Sequence, residues 1–164
     1  MRTLATARTT LEPQVASHAA EMFAVLQDPL IYEYENEPPS SESWLRERYA
    51  KLETRRSGDG TEHWLNWIVR IASGDAIGYV QASVEPGGRC FIAYVFASRW
   101  WGQGLAQEAV GAAMDELRRT YAVKRFAAVF KRRNERSRAL LLRLGFEPVV
   151  LPGIEADEDA MERS

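Results

Sequence analysis

The stretch Cys90-Phe-Ile-Ala-Tyr-Val-Phe-Ala-Ser-Arg-Trp-Trp-Gly-Gln-Gly-Leu-Ala106 decides how the chain is read. It begins as an apolar and aromatic run suited to a buried strand, passes a short turn, and reaches Gly102-x-Gly104 where a helical pattern opens. The first backbone N–H groups of a helix have no partner within it. The helix macrodipole adds partial positive charge there. Glycines remove the side chains that would block a close approach. Together these features make an anion cradle out of backbone, suited to a phosphate or diphosphate. Gly-x-Gly alone also fits a tight strand-to-helix turn that needs two small residues. Two other phosphate loops are excluded. No Gly-Lys-Ser/Thr is present for a P-loop, and a dinucleotide-binding crossover would need a third glycine and an acidic residue ending a second strand.

Downstream, Ala106, Ala109, Val110, Ala113, Met114 and Leu117 form one apolar stripe and predict a helix over 102–120. Residues 124–130 read as a strand, 134–144 as a helix and 146–151 as a strand, with Gly145 placed where a helix C-terminus favours φ > 0. A strand–helix–strand run predicts local parallel pairing. Upstream, His63–Ile71, Ala76–Val84 and 90–97 are rich in β-branched and aromatic residues. Ser73-Gly74-Asp75 and Pro86-Gly87-Gly88 separate them, the pattern of an antiparallel meander. Thr9–Pro13 reads as a first strand, and 16–27 as a helix stopped by Asp28-Pro29. An acidic, tyrosine-rich loop follows over 31–39. Ser40 or Ser41 then caps a second helix carrying Leu45, Tyr49 and Leu52 on one side. The whole reads as a mixed α/β (α+β) domain spanning 1–164. Residues 1–8 are expected to be a flexible leader. The tail after Pro152 is expected either to add an edge strand near 158–162 or to fray.

Composition narrows the function classes. The 164 residues suit one domain, and 46% of them are apolar, enough to bury a real core. A net charge of −2 argues against a protein wrapped in nucleic acid or lying on anionic lipid. The single cysteine, Cys90, excludes an internal disulfide or Cys-rich zinc site and fits a reducing cytoplasm. A small thiol in an apolar strand reads as core. No apolar run has the length of a membrane span or the form of a secretory signal. No residue set reads as a metal site.

Arg99-Trp-Trp-Gly102-Gln103-Gly104-Leu105-Ala106 resembles the Arg/Gln-x-x-Gly-x-Gly/Ala acetyl-CoA motif of the GNAT superfamily of N-acetyltransferases. Asn134-Glu-Arg-Ser137-Arg-Ala-Leu140-Leu141-Leu-Arg-Leu144-Gly145-Phe146 is similar to the second motif of that family. Leu11-Glu-Pro and Val25-Leu-Gln-Asp28-Pro29 resemble the opening of its ribosomal-protein-alanine acetyltransferase branch. The resemblance implies a central, mixed, mostly antiparallel twisted sheet of six to seven strands with about four helices. It also implies that the fourth and fifth strands splay to hold the donor, acetyl-CoA. Val95, Phe96 and Ala97 would then run along the pantetheine, Arg99 and Gly102 to Ala106 would hold the diphosphate, and Asn134 would reach the pantetheine from the far side. One or two of Lys131, Arg132, Arg133 and Arg136 would contact the 3′-phosphate, or the four would form a solvated basic turn.

The implied activity is transfer of an acetyl group from acetyl-CoA to a primary amine by direct attack in a ternary complex. Such transfer needs a neutral amine, an oxyanion donor and a proton for the departing thiolate. Backbone N–H groups near Val95 and Phe96 are expected to polarise the thioester, because the family usually has a bulge in this strand. The glutamate many relatives carry before Ile-Gly-Tyr is Phe91 here, and the tyrosine acid of the second motif is Leu141. Ser137 is the substitute proton donor, with helix capping as its alternative role. Glu33, Glu35 and Tyr94 are the candidate bases. A weak base suffices for an α-amine of pKa about 8 better than for lysine at about 10.4. The run Tyr32-Glu33-Tyr34-Glu35-Asn36-Glu37 would attract a cationic acceptor, and Trp44, Trp64 and Trp67 either line its pocket or belong to the core. Two other readings stand beside the enzyme: a non-catalytic acetyl-CoA-binding regulatory module, and a structural domain that mimics the motif. No motif addresses oligomeric state, so a homodimer is left open, and no nucleic acid or membrane partner is expected.

Overall fold

The three β-branched and aromatic runs form the meander their spacing predicts. In the computed structural model, which describes residues 1–164, they are β3 (His63–Ile71), β4 (Ala76–Val84) and β5 (Arg89–Phe96), paired antiparallel in that order. Before them come β1 (Leu4–Ala5) and β2 (Thr9–Pro13); after them come β6 (Arg125–Lys131), β7 (Glu147–Val149) and β8 (Glu158–Arg163). The eight strands make one sheet in the order β1-β2-β3-β4-β5-β6-β8-β7, one or two strands more than the expected count. The four helices are α1 (Ala19–Val25), α2 (Glu42–Leu52), α3 (Leu105–Tyr121) and α4 (Glu135–Arg143). Ser41, not Ser40, caps α2 by accepting from the Trp44 N–H at 3.0 Å.

Both ends of the chain depart from expectation. Residues 1–8 are tied down instead of forming a flexible leader. Leu4 is buried, β1 pairs with β2, and Arg2 and Arg8 reach Glu116 and Glu108 on α3 at 2.7 and 2.8 Å. Glu116 is only 1% exposed, and Arg2, with Arg119 at 3.5 Å, compensates its buried carboxylate. The tail strand β8 is not at the edge. It lies between β6 and β7, antiparallel to both, so β6 and β7 never pair and the expected parallel contact there is absent. The one parallel pairing is β5 with β6.

The sheet separates two apolar layers. α3 and α4 cover one face with a core of 27 buried residues, and α1 and α2 cover the other with 7. The thinner layer carries the α1–α2 connection. Between β4 and β5 the backbones approach closely at Gly78, opposite Phe96. A Cβ at Gly78 would lie 2.1 Å from the Val95 carbonyl oxygen, which no rotamer change relieves. Gly78→Ala is therefore expected to destabilise the fold by about 3 kcal/mol, read as a lower urea midpoint at unchanged slope.

Candidate active site

Hydrogen-bond direction alternates along an antiparallel ladder. The Ala97 N–H donates to the Ile77 carbonyl at 2.9 Å, and the Glu85 N–H to the Arg89 carbonyl at 2.8 Å. With the unbroken register between these ends, the odd-numbered residues of β5 bond to β4 and the even-numbered ones face β6. The β5–β6 ladder, however, runs only from Arg89↔Arg125 to Phe91↔Ala127. Beyond it the strands part, and the backbone groups of Ile92, Tyr94 and Phe96 face an open cleft. The expected β-bulge in β5 is absent. Alternation alone turns the Tyr94 and Phe96 amides inward, while the Val95 amide bonds to β4. The Phe96 carbonyl is taken by the Trp101 indole N–H at 2.8 Å.

The cleft holds about 720 Å³, within the size range of small-molecule sites. Of the expected donor-binding residues, Val95, Phe96, Gly102, Gly104, Ala106, Asn134 and Ser137 line it. Ala97, Arg99, Gln103 and Leu105 do not: Ala97 bonds to β4, Arg99 stacks on Trp100, the Gln103 side chain braces the Arg99 carbonyl at 3.0 Å, and Leu105 is core. Gly102 and Gly104 both lie in the left-handed region, at φ 72° and 77°, and Gly104 is the N-cap of α3 without any side-chain cap. The first amides of α3 thus lack a side-chain partner, as an anion cradle requires. Asn134 caps α4, its Oδ1 accepting from the Ser137 N–H at 3.0 Å, which leaves its Nδ2 as donor. The basic turn is mostly neutralised by the tail and the α1–α2 loop. Lys131 pairs with Glu155, Asp157 and Glu158, Arg132 with Asp159, and Arg136 with Glu33, leaving Arg133 without an ion pair. Arg143, also without an ion pair, lines the cleft and lay outside the expected set.

Two candidate proton carriers are brought together. The Tyr94 hydroxyl and Ser137 Oγ are 2.8 Å apart, joining β5 to α4 across the cleft. Burial pushes the Tyr94 phenol up to about 12, against the opposing effects of the Ser137 bond and Arg143, so Tyr94 stays protonated and is no base at neutral pH. Glu33 is removed as a base as well. Its carboxylate accepts from Arg136 at 2.6 Å, which holds its pKa below the ordinary value, and it does not line the cleft. Glu35 does line it, and desolvation, with Glu158, Glu155 and Asp157 nearby, raises its pKa against the pull of Lys131. Of the three tryptophans expected in the acceptor pocket or the core, one is core and none lines the cleft. Trp67 is core, Trp44 is exposed, Trp64 bonds Glu62, and the cleft is lined by Trp100 and Trp101 of the quoted stretch. Arg136 stacks 4.0 Å from the Trp101 ring centroid while holding Glu33, so it pins the α1–α2 loop over the cleft. Asp28 does the same at the loop's start, accepting from the Ser98 N–H at 2.6 Å.

Comparison with known proteins sets this geometry in context. Residues 8–147 match the model of the acetyltransferase (GNAT) domain. A 58-residue segment is 41% identical to the [ribosomal protein uS5]-alanine N-acetyltransferase of Escherichia coli (strain K12), covering 35% of this chain and only 30% of that protein. A GNAT-family acetyltransferase from Bacillus anthracis shares the fold at a TM-score of 0.79, with 15% identity over 98% of this chain and 97% of that one. RimL, a ribosomal L7/L12 α-N-protein acetyltransferase in complex with coenzyme A, gives a TM-score of 0.78 at 18% identity, over 96% of this chain and 94% of that one. No helix here is long and apolar enough to cross a membrane.

Burial pushes the Cys90 thiol up to about 12. Native protein should therefore resist a thiol-specific disulfide reagent at pH 8 and react stoichiometrically once unfolded in urea, read by absorbance.

Proposed function

The chain belongs to the acetyltransferase (GNAT) domain family, and on that premise we propose that it moves an acetyl group from acetyl-CoA to a primary amine by direct attack. The observation that carries this reading is the unpaired edge of β5 beside an uncapped helix N-terminus. Backbone amides left open in a cleft call for a partner, and an extended amide chain ending in a diphosphate supplies both hydrogen bonds and charge. The cleft residues fit such a donor in volume and in donor set.

In this reading the Tyr94 or Phe96 amide polarises the thioester carbonyl. The amine nitrogen forms the new C–N bond, and the C–S bond breaks. Ser137 delivers its proton to the departing sulfur and is re-protonated through Tyr94, which takes a proton from solvent in turn. Glu35 or solvent removes the amine proton, replacing Glu33 in that role. The acidic, tyrosine-rich loop favours a cationic acceptor, and the relatives' printed substrates make a protein N-terminal α-amine the first class to test, ahead of small-molecule amines. The single buried thiol suits a cytoplasmic setting.

Incubation with acetyl-CoA and peptides bearing free N-terminal alanine is expected to release free CoA, measured with a thiol dye, and to add an acetyl mass to the peptide. Silence across peptides, polyamines and aminoglycosides, with CoA still bound, would favour the non-catalytic module. Ser137→Ala and Tyr94→Phe should each lower kcat, Ser137→Ala by about a hundredfold, with KM for acetyl-CoA changed less than about threefold. The kcat profile of the wild-type protein should rise through the acceptor's pKa, about 8 for an α-amine, and stay level towards pH 10 because Tyr94 keeps its proton.

A further inference from the structure

We propose that Arg8, on the β1–β2 turn, is the positioning residue that holds the Gly102–Ala106 loop in its anion-binding conformation from behind. This deepens the donor-binding reading above and rests on it. Four contacts tie the turn to the loop and helix. The Arg8 Nη1 donates to the Gln103 carbonyl at 2.9 Å, its Nε to Glu108 Oε2 at 2.8 Å, and its backbone N–H to Glu108 Oε1 at 2.7 Å. The Thr6 hydroxyl also donates to Glu108 Oε1.

The geometry gives the brace a specific effect. A trans peptide is planar, so the Gln103 carbonyl and the Gly104 N–H point in opposite directions. A guanidinium that fixes the carbonyl on one side directs the amide to the other, and Gly104 lines the cleft. Within the loop the one side-chain brace is the Gln103 amide on the Arg99 carbonyl, which does not hold the Gln103 carbonyl itself. The loop's two glycines have no side chains, both sit in the left-handed region, and α3 has no side-chain cap. The arginine also meets an electrostatic need. Glu108 places a carboxylate in the first turn of α3, beside the position a diphosphate would take. A negative charge there favours the helix and opposes a bound anion. Arg8 compensates it at ion-pair distance; desolvation raises the Glu108 pKa, and the hydrogen bonds from Thr6 and Arg8 together outweigh it and keep the carboxylate ionised.

The test is calorimetric binding of CoA and dephospho-CoA, with pantetheine followed by quenching of tryptophan fluorescence, to wild-type, Arg8→Gln and Arg8→Lys proteins. Arg8→Gln should weaken both diphosphate-bearing ligands about tenfold and leave pantetheine unchanged. Arg8→Lys, which keeps the charge but cannot make both side-chain bonds, should weaken them about threefold and serves if the glutamine variant does not fold. Equal weakening of pantetheine would mean general damage and overturn the proposal. So would a loss confined to CoA, which would mark a 3′-phosphate contact, or no loss at all. Failure of the wild-type protein to bind CoA is a distinct outcome: it removes the donor-binding reading, and this inference with it.

Discussion

The parallel ladder between β5 and β6 stops after Phe91 and Ala127, and the cleft exists because the two strands beyond that point do not close on each other. Each is held from its far side. β5 is paired with β4 from Gly78↔Phe96 to Val84↔Cys90, and β6 with β8 from Phe126↔Arg163 to Lys131↔Glu158. The close approach at Gly78 keeps the C-terminal end of β5 against β4. The Tyr94–Ser137 hydrogen bond then joins β5 to α4 at the level where the strands separate. Unpaired strand edges in a partly apolar cleft are costly unless water or a ligand completes them, so the interruption creates both the space and the demand for an extended polar occupant.

Charge is distributed around this gap in a consistent way. At the α3 end the uncapped amides supply partial positive charge, with Glu108 compensated by Arg8. At the other end the α1–α2 loop brings Tyr34 and Glu35 to the cleft, while Glu33 is held by Arg136. Two carboxylates two residues apart therefore differ in character. An arginine fixes one as an ion, and partial desolvation among other acids raises the pKa of its neighbour. A raised carboxylate is the better match to a proton-accepting role near neutral pH.

The tail contributes more than an extra strand. Because β8 sits between β6 and β7, the acids leading into it and at its start lie against the β6–α4 turn and neutralise Lys131 and Arg132. Basic residues that read as one patch along the chain are thus separated in space, with Arg133 left without an ion pair while its neighbours support the sheet. The N-terminal segment is held by the same kind of contact, through two arginines that reach α3 over more than a hundred intervening residues or about as many.

Much of the architecture was legible along the chain because it depends on local chemistry. The meander bounds of β3 and β4, the Asn134 region as a helix start, Gly145 with φ 80° after α4, and the glycine loop opening α3 all follow from periodicity, turn residues and caps that act within a few positions. The two motifs were enough to read the family. What the chain could not reveal were contacts between distant residues: the place of β8 inside the sheet, the ordering of residues 1–8 by Glu108 and Glu116, the pairing of Glu33 with Arg136, and the presence of Trp100 and Trp101 at the cleft. Strand order, ion-pair choice and the desolvation that sets a pKa depend on what packs alongside, and sequence spacing carries no term for that neighbour. The residue types and local turns were determined by sequence alone; which of the acids, arginines and hydroxyls face one another was decided only when the sheet assembled.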